Sequence, residues 1–266
     1  MKASVPAIAF FNGKGGVGKT TGIINVAGVL ADKGEKVLII DMDKQHNATD
    51  TLLADEQSGY TDKSKTLYDV FTGKAALEDI VKKSFLIGIG QRKAHYCNID
   101  VLPADKRFEN ETKISKMNVD IKEGLEEFIN ENGYTYVLID MPPSNRAINT
   151  ICYTQIANNV IVPFSPDIYS ISGYSDTMDI INKAREQNGE LNILGIYLSR
   201  LRRCNMEIYE ALKSFGSLFI DIIIPMSSQI EKTTLESRPI SMRKKTGKSL
   251  EAYRELTEFI MTGCVV

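Results

Sequence analysis

Eight residues near the amino terminus constrain this 266-residue chain more than any other stretch: Gly13 to Thr20 read Gly-Lys-Gly-Gly-Val-Gly-Lys-Thr. A loop of the form G-x-x-x-x-G-K-[ST] wraps backbone N–H groups around phosphates, sets one lysine on the outer phosphate oxygens and offers a hydroxyl to Mg²⁺. Lys19 and Thr20 fill the last two roles, and Gly13, Gly15, Gly16, Val17, Gly18 and Thr21 complete the predicted cradle. Lys14 is an additional cation at its mouth, on a stem long enough to reach away from its own nucleotide toward a neighbouring molecule. A glycine turn that binds nothing is the plainer alternative, but the context opposes it. Val5 to Asn12 is a short apolar run of buried-strand type, and Ile23, Ala27 and Leu30 recur at helical spacing before Gly34. Strand, loop and helix N-terminus thus come in the required order, and the helix dipole adds its positive end to the anion site.

Three further stretches bear on the chemistry. A second apolar strand, Lys36 to Ile40, runs into Asp41-Met42-Asp43-Lys44-Gln45-His46-Asn47-Ala48-Thr49. A third, Tyr136 to Ile139, runs into Asp140-Met141-Pro142-Pro143-Ser144, and a fourth spans Asn159 to Pro163. Phosphoryl transfer to water needs charge neutralisation on the γ-phosphoryl group and a positioned nucleophile. Asp140, at the carboxyl end of a buried strand, is placed to hold Mg²⁺ through a water.

With its second lysine, the loop resembles the deviant Walker A signature of the ParA/MinD family of dimerising ATPases. The Asp41–Thr49 segment is similar to the ParA branch's Asp-x-Asp-Pro-Gln-x-Asn-Ala-Thr, and Asp140–Ser144 to its Asp-x-Pro-Pro-Ser. The resemblance implies that Asp43 helps orient the attacking water and that Asp41 supports the same segment, although both acids could simply cap the following helix. It also implies catalytic roles for Lys14 and Lys19, with Lys14 crossing to the phosphates of a second copy in an ATP-bound sandwich homodimer. The nucleotide implied is ATP with Mg²⁺, and Pro225 with Met226 is the predicted base-contacting segment. Partition ATPases of this kind bind DNA without sequence preference through arginines in the carboxyl-terminal region, and Arg203-Cys204-Asn205 resembles their Arg-Thr-Asn. This chain departs from the pattern twice: Met226 stands where an arginine commonly follows the proline, and Lys44 where a proline would stiffen the loop.

A formal net charge of −2 excludes whole-molecule attraction to nucleic acid, so DNA binding must come from a local basic patch. Arg200, Arg202 and Arg203 form one candidate; Arg238, Arg243, Lys244, Lys245 and Lys248 form another, with Lys232 between them. Short basic runs are also ordinary solvated loops.

Further strands are expected at Ile193 to Leu198 and Ile220 to Ile224, and helices at Leu67 to Thr72, Asp105 to Asn130, Arg146 to Ala157, Ser170 to Gln187, Met206 to Phe215 and Ser249 to Met261. This alternation predicts an α/β fold, a mostly parallel doubly wound sheet flanked by helices, as one P-loop domain over residues 1–266. Four scattered cysteines, Cys97, Cys152, Cys204 and Cys264, argue against a disulfide framework or a metal cluster. No apolar run reaches the roughly 18 residues of a membrane span, and a secretory leader is not expected. In the last helix Glu251, Glu255 and Glu258 oppose Arg254 alone, a face unsuited to an anionic bilayer, so Leu250 to Phe259 should pack in the core.

The resemblance therefore implies a nucleoid-associated ATPase that partitions plasmid or chromosomal DNA with a ParB-like adaptor, and the protein is expected to be cytoplasmic and not to bind membrane. Two alternatives remain open: a MinD-like positioning ATPase that recruits a protein without touching DNA, and an enzyme that phosphorylates or amidates a small molecule.

Overall fold

The computed structural model describes residues 5–53, 60–61, 63–87, 94–166, 170–201, 216–243 and 247–264. Along the chain these form β1 (Ala7–Phe10), α1 (Lys19–Asp32), β2 (Val37–Asp41), α2 (Asn47–Leu53), α3 (Leu67–Phe71), α4 (Leu77–Ile80), β3 (Lys82–Ile87) and β4 (Ala94–Leu102). There follow α5 (Glu111–Ile114), α6 (Lys122–Glu131), β5 (Tyr136–Asp140), α7 (Arg146–Ile151), β6 (Asn159–Phe164), α8 (Ser170–Gln187), β7 (Asn192–Leu201) and β8 (Phe219–Pro225). The chain closes with α9 (Ser228–Leu235), α10 (Ile240–Arg243) and α11 (Lys248–Gly263).

The strands make one eight-stranded sheet in the order β3-β4-β2-β5-β1-β6-β7-β8. Every neighbouring pair is parallel except β3 with β4. β1 lies between β5 and β6; the chain first builds outward from it on the β2 side and later on the β7 side. Its carboxyl end is thus a topological switch point, where open α/β sheets leave a crevice for ligands.

Period-two alternation divides the core. Ala7, Ala9 and Phe11 bury on one face with Leu67, Phe71, Ile80, Phe128, Ile148 and Ile181 of the covering helices. Ile8 and Phe10 bury on the other with Ile23, Val26 and Leu30 of α1 and Leu250, Leu256 and Ile260 of α11. Each such large apolar side chain contributes about 1.5–3 kcal/mol. The last helix accordingly packs in the core, with Tyr253 and Leu256 almost fully buried.

α1 is covered on several sides, and two glycines allow it. A Cβ at Gly22 would stand 2.6 Å from Tyr197 Oη, and one at Gly28 would stand 2.3 Å from Pro239 Cβ. Asn25, also fully buried, accepts from the Ile240 N–H and donates to the Thr21 carbonyl, both at 2.8 Å. It satisfies the backbone of the segment that crosses the helix.

Two regions differ from the sequence expectation. Asp105 to Asn130 is a 3₁₀ turn at Lys106–Glu109, then α5 and α6, rather than one helix. Asp105 accepts from Arg107 N at 2.7 Å and Asn110 from Lys113 N at 2.9 Å, so two short polar side chains restart the chain locally instead of letting one helix run through. The β3–β4 hairpin at the sheet edge is an addition to the expected strands. The expected helix Met206 to Phe215 lies outside the described residues.

Candidate nucleotide site

The glycine loop joins β1 to α1 and is gripped from both sides. Gly16 (φ 74) and Gly18 (φ 95) adopt left-handed conformations that favour glycine, the second immediately before α1. On one side Asn12 accepts from the Lys14 N–H at 2.8 Å and donates to the Pro163 carbonyl at 2.9 Å. Thr177 of α8 accepts from the Gly13 N–H at 3.1 Å. On the other side Ser199 donates to the Val17 carbonyl, and Arg200 Nη1 to the Gly16 carbonyl at 2.5 Å.

Lys19, only 7% exposed, curls back to donate to the carbonyls of Asn12 and Lys14, each at 3.2 Å. Burial lowers its pKa, while the negative charges of Asp140 and Asp43 oppose that shift. The amine is thus poised inside a loop that already points polar groups inward.

Behind it lies an acidic pair. Asp41 and Asp140 face each other in register at the ends of β2 and β5, both fully buried. Asp41 is well satisfied: Thr49 donates to it through N–H and hydroxyl, each at 2.8 Å, and Asp43 N–H at 3.1 Å. Burial nevertheless pushes its carboxyl up to about 6. Asp140 accepts from the Thr20 hydroxyl at 2.6 Å, while its other oxygen is buried without a hydrogen-bond partner. Burial and then the Asp41 charge drive the Asp140 carboxyl well above the ordinary range, opposed by the Thr20 hydrogen bond and, among the described cations, by Lys19. A buried carboxylate with an orphaned oxygen, touching the loop hydroxyl and so poorly offset by positive charge, fits a divalent cation. The chemistry of the donor set therefore suits Mg²⁺ at Thr20 and Asp140.

Above these groups opens a cavity of about 910 Å³. Gly15, Gly16, Gly18, Lys19, Thr20 and Thr21 line its floor, Asp43 and Pro142–Asn145 one wall, and Pro225, Met226, Ile230 and Tyr253 another. Asp43 is half-buried and accepts from Gln45 N–H at 3.0 Å. Gly13, Lys14, Val17 and Asp140 do not line it: Val17 and Asp140 are buried, Gly13 is tied to Thr177, and Lys14 is half-buried. At Gly15 an added Cβ would meet no atom within 4 Å.

The basic residues separate. Arg200, grouped in sequence with a DNA-facing cluster, turns instead to the loop and the cavity wall. Lys232 and Lys248 are exposed on α9 and at the start of α11, and Arg238 is half-buried with its N–H on the Thr233 carbonyl at 2.9 Å. Arg243 ends α10, and Arg202, Arg203, Lys244 and Lys245 lie outside the described residues. Sequence reasoning missed Asn12, Thr177 and Ser199. The last two stand 164 and 182 residues from the loop atoms they bind, a distance no local pattern spans.

A glycine loop at the switch point of a parallel sheet, with an enclosed lysine, a hydroxyl and a buried acidic pair, defines a P-loop ATPase that works with ATP and Mg²⁺. Residues 5–193 match the AAA domain family. The chain is 30% identical over 264 residues to the chromosome partitioning protein ParA of Caulobacter vibrioides, covering 96% of this chain and 93% of that one. It is 30% identical over 261 residues to the sporulation initiation inhibitor protein Soj of Bacillus subtilis, covering 94% and 96%. Among solved structures it resembles the septum site-determining protein MinD of Pyrococcus horikoshii with Mg-ADP, at TM-score 0.71 and 26% identity over 95% and 94% of the two chains. The chain belongs to the ParA family of ATPases.

Proposed function

We propose that this ATPase partitions plasmid or chromosomal DNA: with ATP bound it pairs face to face with a second copy, coats double-stranded DNA without sequence preference, and hydrolyses ATP slowly until a ParB-like adaptor accelerates the step. The observation that carries this reading is the bare rim of the loop. Gly15 is exposed with open space where a Cβ would stand, so nothing among the described residues of its own chain requires a glycine there, whereas the close approach of a second subunit or a phosphate would. The partition role borne by the name of the Caulobacter relative supports the same reading.

Mg²⁺, when bound, would offset the charge of the phosphates. Thr20 would hold it directly and Asp140 through a water. Lys19 leaves the loop carbonyls for the β and γ oxygens, Asp43 orients the attacking water, and Lys14 crosses to the second copy's phosphates. Pro225 and Met226 flank the base. Only ATP supplies the γ-phosphate charge that favours the paired state, so hydrolysis releases it. Arg202, Arg203, Lys232, Arg238, Arg243, Lys244, Lys245 and Lys248 supply the DNA contacts, in the cytoplasm and on the nucleoid.

Retention of plain duplex DNA, compared without nucleotide, with ADP and with a nonhydrolysable ATP analogue, tests this. The expected result is retention with the analogue alone, falling with salt at a slope that reports several neutralised phosphates. Charge reversal of Arg203 and Lys245 should weaken it while ATP binding stays intact. Absence of retention in every nucleotide state would instead favour the second reading, a positioning ATPase that recruits a protein partner without DNA. Met226, where partition ATPases commonly carry arginine, and the likeness to MinD support that second reading.

A further inference from the structure

Ser199 and Arg200 are consecutive in β7, so regular pleating would send their side chains to opposite faces of the sheet. Both nonetheless donate to the glycine loop, at the carbonyls of Val17 and Gly16. The register accounts for it. Pairing of β7 with β8 is irregular between Leu198 and Leu201, and those two leucines, three positions apart, bury in the same core. Arg200 absorbs the extra step at φ 56, a conformation that a long side chain rarely adopts. Bulges of this kind stand beside functional sites because they re-aim a side chain.

A trans peptide points its N–H opposite to its C=O. With the Gly16 and Val17 carbonyls drawn toward β7, the N–H groups of Val17 and Gly18 turn the other way, away from β7. We propose that Arg200 is a positioning residue for ATP binding and hydrolysis: with the Ser199 hydroxyl beside it, its guanidinium holds successive loop peptides in the orientation that receives phosphate. Its charge serves the nucleotide site of its own protomer and not DNA. This inference rests on the ATPase activity alone, so the DNA reading can fail without touching it.

Two variants test it. Arg200→Gly removes the side chain and suits the left-handed backbone; Arg200→Lys restores a charged donor. For Arg200→Gly, the Kd for a fluorescent ADP analogue and the KM for Mg·ATP should rise together by about tenfold or more, as expected when a charged hydrogen bond is lost. Arg200→Lys should recover some of that rise. Nucleotide-free Arg200→Gly should melt no lower than wild type, a result that separates loop positioning from general support of the fold. The salt slope of DNA retention at saturating ATP analogue should not change. ADP affinity like wild type in Arg200→Gly, or a DNA slope lower by about one phosphate, would overturn the proposal. If Arg200→Gly does not fold, Ser199→Ala decides by the same ADP titration: weakened binding upholds the clamp, and unaltered binding refutes it.

Discussion

At the scale of single residues, the site is dominated by two carboxyls that burial makes reluctant to ionise. The Asp41 carboxyl is pushed up to about 6, and Asp140 moves in the same direction, whereas an exposed aspartate titrates near about 3.9. The folded protein therefore holds these protons more tightly than the unfolded chain does. For Asp41 the stabilising contribution is fully present below about pH 4 and is lost as pH rises through about 6; for Asp140 it is lost only above the ordinary carboxylate range. In melting curves of the nucleotide-free protein, the gap between wild type and Asp41→Asn should thus change between about pH 4 and pH 6.5, wild type losing more on the way up; parallel curves would refute the assignment. Asp43, half-buried at the cavity wall, bears on catalysis. Asp43→Ala should leave ADP affinity intact and lower kcat by about 10²- to 10⁴-fold, the range for a lost proton-handling or water-orienting group. A variant that hydrolyses ATP at the wild-type rate would remove Asp43 from the mechanism.

At the scale of elements, α1 shows how packing depends on what is missing from a side chain. The position a Cβ would take at Gly28 is 2.3 Å from one Pro239 ring carbon and 2.7 Å from another, and a ring tied to the backbone cannot swing aside. Gly28→Ala should destabilise by about 1–2 kcal/mol in denaturant titration, the overpacking cost exceeding alanine's helix propensity gain; a stabilised variant would show that the segment before α10 yields freely. The same scale explains what was legible in the sequence. The loop, Asp43 and Asp140 stand out because each follows a short apolar run at fixed spacing, and a local pattern suffices. The β3–β4 hairpin does not stand out, since Lys82, Lys83, Asn98 and Asp100 interrupt its apolar residues and it pairs antiparallel at the rim. The helix expected from Asp105 to Asn130 fails for a reason also written there, the capping side chains of Asp105 and Asn110, whose competition with the helix outweighs the apolar spacing. Arg200 was illegible because a cluster of cations in sequence says nothing about which way a bulged strand aims each one.

At the scale of the whole molecule, pairing of two copies is the event on which the proposed cycle turns. Lys14→Ala removes the crossing cation, and Gly15→Val places bulk where the monomer has open space. Both should fold and bind ADP, yet remain monomeric with a nonhydrolysable ATP analogue in analytical ultracentrifugation; an unchanged dimer in both would end the sandwich reading. The Thr20–Asp140 contact has an effect on the order of events. A bare cation would have to pull apart a hydroxyl and a carboxylate that satisfy one another at 2.6 Å, and it offers no acceptor to the hydroxyl's proton in return. A cation that arrives chelated by a triphosphate brings along the amide-bound anion that opens the loop. Loading should accordingly be sequential: calorimetric titration with MgCl₂ alone stays flat, and heat appears only once the metal is delivered as its nucleotide complex.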